Sequence, residues 1–544
     1  MNDEAKTEDA YGSESALNGT TNPYYAAARA KAEWDFTKKD TTFAFFAFAL
    51  GMLFWDWIPS PWYDTGISVA LFFAVAATVT GVYLHSIGFR QNRRSLPALT
   101  ILLAGALPFA LYDGTAIFLL LFLFELAVSL IWIMNTCGRS VTERLSGYII
   151  VDAVNQMFVV PFANFAGAFK ALTRGAKEGK RSRRGLYAFI GIVCSVPVVT
   201  TVISLLISAD KGFADLMGHV FKVINPEMFG RYLIELLIGA PIACYIYGSA
   251  FGNGHGRCAG CLTRAGADES LSQARRIPLA AVRPGLVILA AVYILFFIAM
   301  GTYLFSAFSG DLPAGYTYAE YARRGFFELC GVSAINLAVI IFVYLFAKRN
   351  AGEDTKEARD KDMPRLPKSL RLFTASISCM TMLLLLTAAS KMLLYVNTFG
   401  LTRMRVYTLW FMLLMLCVFT IVLLWHIRPF NAGRPIAIAF AVLVLCLFFA
   451  NTDGLIAKYN VESYESGALK TVDIEMLTYM SDATVPYLER LKDDAPDDEV
   501  RTGAQAALRE RAGAETYLKD TYGSSWRGWN LESSLAVASA RFGT

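Results

Sequence analysis

Residues 406–427, VYTLWFMLLMLCVFTIVLLWHI, carry no carboxylate, lysine or arginine. A helix of about 20 apolar residues crosses the hydrocarbon core of a bilayer. Comparable runs lie at 41–58, 65–88, 96–112, 114–135, 186–208, 232–251, 284–305, 326–347, 372–396 and 434–452, so eleven spans are expected. A chain with so many such runs has few folds open to it, because lipid cannot satisfy an exposed backbone. The expected fold is all-α: a polytopic transmembrane helix bundle with a small helical extracytoplasmic C-terminal region. Segment 96–112 is short and holds Pro108. Segment 148–169 carries Asp152, Asn155, Gln156 and Asn164 and is broken by Pro161, which fits a helix lying along the interface or dipping into it.

Composition agrees, with 55% hydrophobic and only 17% charged residues, where soluble domains run nearer a quarter charged. The first forty residues are polar and contain no cleavable secretory signal. The small positive excess sits in short loops between apolar runs, which argues for topology and against a nucleic-acid partner. Most of the nine cysteines fall inside apolar runs and read as small buried hydrophobes, with no disulfide framework.

Lysine and arginine counts alternate along the loops. Five precede the first span, none lie in 59–64, three in 89–95, none at Asp113, nine in 136–185 and three in 209–231. Five follow in 252–283, two in 306–325, eight in 348–371, two in 397–405 and two in 428–434. The basic side is the cytoplasmic one. The expectation is therefore a cytoplasmic (inner) membrane protein. Its polar N-terminal tail, 1–40, and loops 136–185, 252–283 and 348–371 lie in the cytoplasm. The transmembrane domain covers 41–452. The tail, 453–544, is polar with helix-like segments, and an odd number of spans puts it outside, where it offers a surface to an envelope protein partner. Membrane lipids are the other expected partner, and no cofactor is implied.

Charged residues inside an apolar chain mark candidate sites. In GYTYAEYARRGFFELCGVSAINL, residues 315–337, Tyr321, Arg324, Glu328 and Asn336 follow three- and four-residue steps along one helix face. Arg323 and Arg324 sit at the outer boundary, and Asn336 lies roughly 15 Å deeper at the helical rise. Lys391 lies at a depth similar to that of Glu328, with Glu235 in the same leaflet and Arg403 and Arg405 immediately above. The expectation is an outer-leaflet charged cluster built on a Glu328–Lys391 ion pair. It acts either as a structural clamp or as an outward-facing anion pocket. Glu125 sits near mid-bilayer in GTAIFLLLFLFELAVSLIWIMN and is either a proton or cation site or a protonated donor between helices.

The stretch GNGHGRCAGC, 252–261, offers His255, Cys258 and Cys261 as weak zinc candidates, but no fourth ligand follows nearby. Phosphate-binding glycine loops and His-Glu-x-x-His pairs are absent.

Four segments in order carry a resemblance: LPAGYTYAEYARRGFFELCGVSAINL, LLYVNTFGLTRMRVYTLWFM, NTDGLIAKYNVESYE and TVDIEMLTYMSDATVPYLERL. They resemble the bacterial polytopic membrane proteins grouped as domain of unknown function 4173, to which group 4153 is related. The resemblance spans roughly residues 100–500 and is strongest from 312. It implies an integral membrane protein of bacteria and supplies no activity, substrate or catalytic residue. Three readings stand: a non-enzymatic sensory or scaffolding component of the cell envelope; a transporter or accessory permease using Glu125, Glu328 and Lys391; and a membrane enzyme acting on lipid or glycan, with Arg324, Glu328, Arg403 and Arg405 holding a phosphate.

Overall fold

The computed structural model describes residues 34–58, 66–113, 117–141, 148–173, parts of 199–213, 226–257, 272–309, 326–348, 366–428, 430–522 and 526–542. Regular structure among them is helical, and an isolated bridge joins Ile277 to Ala347. In chain order the helices are α1 (Lys38–Trp57), α2 (Ile67–Ser86), α3 (Ser95–Ala106), α4 (Pro108–Leu111) and α5 (Phe118–Cys137). After them come α6 (Ile149–Val154), a π-helical turn (Asn155–Val159), α7 (Val160–Ala163), α8 (Gly167–Leu172) and α9 (Pro226–Gly254). The long helices α10 (Leu279–Ser309), α11 (Phe326–Phe346), α12 (Lys368–Phe399), α13 (Arg403–Ile427) and α14 (Gly433–Phe449) follow. The tail holds α15 (Thr452–Glu465), α16 (Ile474–Thr478), α17 (Val485–Asp494), α18 (Asp498–Tyr522) and α19 (Leu531–Phe542).

Seven described helices are long and apolar enough to cross a membrane, or eight if α14 and α15, bent by 62°, count as one span. The eleven runs read from the sequence reduce for identifiable reasons. The run at 41–58 becomes α1, whose first turn holds Lys38, Lys39 and Asp40. The run at 96–112 breaks at Leu107–Pro108, where proline lacks the N–H needed to continue a helix. The run at 434–452 yields only the 17 residues of α14. Most of 186–208 lies outside the described residues.

Contacts sort the helix termini into two ends. At one end the N-terminus of α1 meets the C-terminus of α2 through Lys39 Nζ, which donates to the Ser86 carbonyl. There Asn92 donates to Asn135 O (3.0 Å), Arg139 to Asn253 O (3.0 Å), and Lys348 N to Ile277 O (2.8 Å). At the other end Ile67 N donates to Trp529 O (2.8 Å), Asp113 N to Glu532 Oε2 (2.8 Å), and Tyr112 OH to Phe449 O (3.2 Å). The described helix ends that border the lysine- and arginine-rich stretches meet at the first end, and those next to Asp113 and 397–405 meet at the second with the tail.

Helices α1 and α9 pack backbone to backbone. Gly51 and Gly239 face each other so closely that a Cβ on Gly51 would lie 2.2 Å from Gly239 O, and one on Gly239 2.5 Å from Gly51 O. Small residues permit such backbone approach between helices in lipid, where dispersion replaces the hydrophobic drive. The surrounding core draws Phe43 and Ala47 from α1, Phe73 from α2, Leu102 from α3, Trp132 from α5 and Tyr247 from α9. A second core gathers α11 to α14 around Leu385, Met412 and Phe419.

Segment 148–169 forms the short helices α6 and α7, the π-helical turn between them and the start of α8, none long enough to span. It lies on the last turns of α9, where Gly248 and Gly252 admit Pro161, Val160 and Asn164. Phe158 and Phe162 stay exposed on its far side. That placement follows from its sequence: four polar side chains are buried, Gln156 and Asn164 of them against α9, while Phe158 and Phe162 remain outside.

The tail has its own apolar core, with Ile456, Val461, Leu477, Leu488, Leu491 and Ala504 buried. Gly51→Leu forces backbone apart at the α1–α9 crossing, and such overpacking typically costs about 1–3 kcal/mol. Thermal unfolding in detergent is expected to show a clear loss for Gly51→Leu and for Gly239→Leu. Gly285→Leu, where nothing lies within 4 Å of an added Cβ, leaves the midpoint unchanged.

Candidate functional site

Asp40 is the best-connected polar side chain at the basic end. Thr37 caps α1, and Asp40 occupies the third helical position, so a reciprocal capping box forms. The Asp40 carboxylate is fully buried. One oxygen accepts from Thr37 N (2.6 Å) and Thr37 Oγ1 (2.7 Å). The other meets Tyr83 OH (2.7 Å) and His255 Nε2 (2.9 Å). Three distant segments, at α1, α2 and the end of α9, therefore converge on one carboxylate.

Aromatic rings hold this arrangement. Tyr83 stacks on Phe43 with centroids 4.0 Å apart, and Phe251 lies 4.4 Å from the His255 ring. Trp34 stacks on Phe36 and Phe251 and is flanked by two cations, Arg257 at 3.9 Å and Lys170 at 4.3 Å from its ring centroid. Arg257 in turn donates to Asn164 Oδ1 (3.0 Å). Beside it, Gln156 and Asn253 exchange two amide hydrogen bonds (3.1 and 2.8 Å), and Asp152 accepts from Val141 N (3.0 Å). The π-helical turn sits inside this network, and such turns often occur at functional sites. The chemistry it offers is charge-assisted hydrogen bonding that locks the N-terminal segment, segment 139–164 and residues 253–257 together.

The outer cluster read from the sequence is only partly assembled. Tyr321, Arg323 and Arg324 lie outside the described residues. Glu235 is buried on α9 and Lys391 on α12. Glu328 is exposed, and among the described contacts no ion pair joins it to Lys391. The reason lies in helix phase. The buried stripe of α11 runs through Cys330, Ser333, Asn336, Ile340 and Val343. At 3.6 residues per turn Glu328 sits about a third of a turn from the middle of that stripe. Asn336, placed with Glu328 by sequence steps, is instead fully buried, accepting from Tyr293 OH (2.6 Å) and donating to Thr381 Oγ1 (2.8 Å). That chain ties α10, α11 and α12 together.

The two arginines are engaged elsewhere. Arg403 forms a two-point ion pair with Asp453, through Nε at 2.8 Å and through Nη2, and Asp453 also accepts from Ser481 N (2.8 Å). Arg405 donates to the carbonyls of Phe399 (2.9 Å) and Gly400 and lies 4.2 Å over the Tyr395 ring. Arg405 Nη1 thus caps the end of α12, and Arg403 is committed to the tail. Asn460 completes the joint, accepting from Leu401 N (2.6 Å) and donating to Leu401 O (2.9 Å).

Glu125 lies where the sequence placed it, fully buried on α5, and neither carboxyl oxygen has a hydrogen-bond partner among the described residues. It faces Gly105 on α3 so closely that a Cβ there would sit 1.9 Å from Oε1. His255 is engaged with Asp40, while Cys258 and Cys261 lie outside the described residues. No group of three or more potential metal ligands occurs among the described residues.

The sequence left Asp40, Tyr83 and Asp453 unread. The Thr37-Asp40 spacing is a capping-box signal within the stretch read as a polar tail, 1–40. Asp453 stands in the first turn of α15, where an acid is favoured.

Domain of unknown function (DUF4153) matches residues 98–491, from α3 into α17. The chain belongs to that family. The match falls on group 4153, so the relation to group 4173 read from the quoted segments is not shown. No curated protein and no solved structure matches the chain. Glu125, Arg403 and Asp453 lie within the family region, whereas Asp40 and Tyr83 precede it.

Removing His255 or the Tyr83 hydroxyl strips a donor from a buried carboxylate, a loss of about 1–3 kcal/mol. His255→Ala and Tyr83→Phe are each expected to lower the melting temperature. Because both donate to one oxygen, the double variant should depart from the sum of the single losses. Strict additivity would mean that the three groups do not act as one network.

Proposed function

We propose that this protein is a non-enzymatic sensory or scaffolding component of a bacterial cell envelope. It is multi-pass in the cytoplasmic membrane, with its N-terminus in the cytoplasm and the 453–544 region outside. The observation that carries this reading is the joint between tail and bundle: the Arg403–Asp453 pair, with Asp453 held in turn by Ser481 N. A second attachment supports it. Trp526 packs edge-on against Trp57 with centroids 5.8 Å apart, Ile67 N donates to Trp529 O (2.8 Å), and Arg527 approaches Asp56 at 3.6 Å. Burial raises the Glu532 carboxyl above its ordinary range, against the pull of the bond it accepts from Asp113 N. A tail fixed at two places transmits a load or a binding event to the helices below, while Tyr479 and Leu535 remain exposed for a partner.

The orientation is tested with an impermeant maleimide on intact cells. Lys470→Cys should label and Arg428→Cys should not; the reverse pattern sinks the topology. Photocrosslinkers at Tyr479 and Leu535 should then capture an envelope protein in intact cells, and capture should fall when Asp453→Ala loosens the joint. Crosslinks to lipid alone at both positions would remove the recognition role.

A transporter reading is favoured by one observation, the buried Glu125 carboxyl with no hydrogen-bond partner among the described residues, beside the break between α3 and α4. Reconstituted protein would then move protons or cations across vesicles, and Glu125→Gln would abolish the flux. Equal flux in Glu125→Gln and the parent chain argues that the acid is structural.

A further inference from the structure

A cleft of about 420 Å³ runs between α2, α3 and α5 near the basic end. Its walls are apolar: Ala77, Gly81 and Val82 from α2, Leu99 and Leu103 from α3, and Trp132 from α5. Val82 and Leu103 are exposed, so the cleft opens sideways along the apolar surface of the bundle. From Ala77 to His85 it follows α2 for about 12 Å at the helical rise. The volume falls within the range of about 300–1,000 Å³ usual for a bound small molecule.

The end of the cleft is different in kind. His85 and Gln91 line it, with Phe89 between them. The Gln91 carbonyl oxygen accepts from Ser95 Oγ (2.8 Å) and Trp132 Nε1 (3.1 Å), which fixes the side chain and leaves its amide N–H groups without an acceptor among the described residues. Arg90, between two lining residues, and Arg93 are exposed and form no ion pair among the described residues. An apolar slot open on the side of the bundle, with amide donors at one end and two exposed arginines beside that end in the chain, matches a molecule with an acyl chain and a phosphate. Arginine is well suited to that phosphate because its fork of donors fits it in two places.

We propose that this cleft binds an anionic phospholipid. One acyl chain lies along α2 against Leu103 and Trp132, and the phosphate is held by Arg90, Arg93 and the Gln91 amide. The site is separate from the tail joint and from Glu125, so it stands whatever role those carry.

The test uses delipidated full-length protein in detergent, titrated by native mass spectrometry. The probes are dioleoylphosphatidylglycerol, dioleoylphosphatidylcholine and inorganic phosphate. Each arginine near a membrane surface strengthens anionic-lipid binding by about 1 kcal/mol, so the phosphatidylglycerol preference should be about thirtyfold. The Arg90→Gln, Arg93→Gln double variant should bind the two lipids alike. Val82→Trp, at an exposed wall position, should weaken both lipids equally, and Thr78→Leu serves the same purpose if that variant fails to fold. Each variant must keep the lipid-free melting temperature of the parent. Equal affinity for the two lipids in the parent chain, or an unchanged preference in the double arginine variant, overturns the proposal. Saturable binding of phosphate alone at the same strength removes the acyl-chain part and overturns it too.

Discussion

The backbone contact between α1 and α9 sets the geometry of the basic end. With Gly51 and Gly239 in contact, no side chain separates the two helices. Their axial register is then fixed, and Asp40 at the start of α1 comes level with His255 just past the end of α9. The same crossing holds Tyr247 and Phe251 against Phe43 and Phe36, so aromatic rings pack beside the carboxylate. A buried carboxylate is tolerated only when its acceptor sites are filled, and four donors from three segments fill this one. Loss of the crossing would therefore expose the network as well as weaken the helix pair.

The two ends of the bundle solve different problems. At the basic end, polar side chains close the gaps between the described helix termini. At the other end, the tail itself serves as the closure for the described connections at Asp113 and 399–403. Arg403 and Asp453 meet across the junction where the chain leaves α14 and turns into α15. Asn451 takes a left-handed conformation at that turn and caps α15 by accepting from Gly454 N (3.1 Å). The bend is thus built by local capping and then fixed by an ion pair to a different helix. In the middle, the polar groups are few and most are spent on helix contacts: Tyr293, Asn336 and Thr381 form one chain, while Glu125 stands apart from any described partner.

The helical class and the positions of most long helices were legible in the sequence. Run length reports them directly, since a helix satisfies its own backbone and needs no distant partner. Glu125 was legible for the same reason: an acid within LLLFLFELAVSL has no charged neighbour on its own helix. Glu328 shows the limit. Its three- and four-residue relation to Asn336 is real, but a stripe is a third of a turn wide, and which part of it turns inward depends on where α12 lies. Arg403 shows another: depth along the chain's apolar runs pointed to Lys391 and Glu328, whereas its partner is Asp453, at the start of α15.

The sequence by itself determined that this chain is a bundle of apolar helices with polar ends and a polar tail. Those properties follow from hydrophobic length and loop composition, which are local quantities. The partners of each buried polar group were decided only in three dimensions. Asp40 with His255, Arg403 with Asp453 and Asn336 with Thr381 are separated by 215, 50 and 45 positions, and electrostatics acts through space and not along the chain. Helix rotation selects which charges meet, and packing at glycines such as Gly51 and Gly239 sets that rotation.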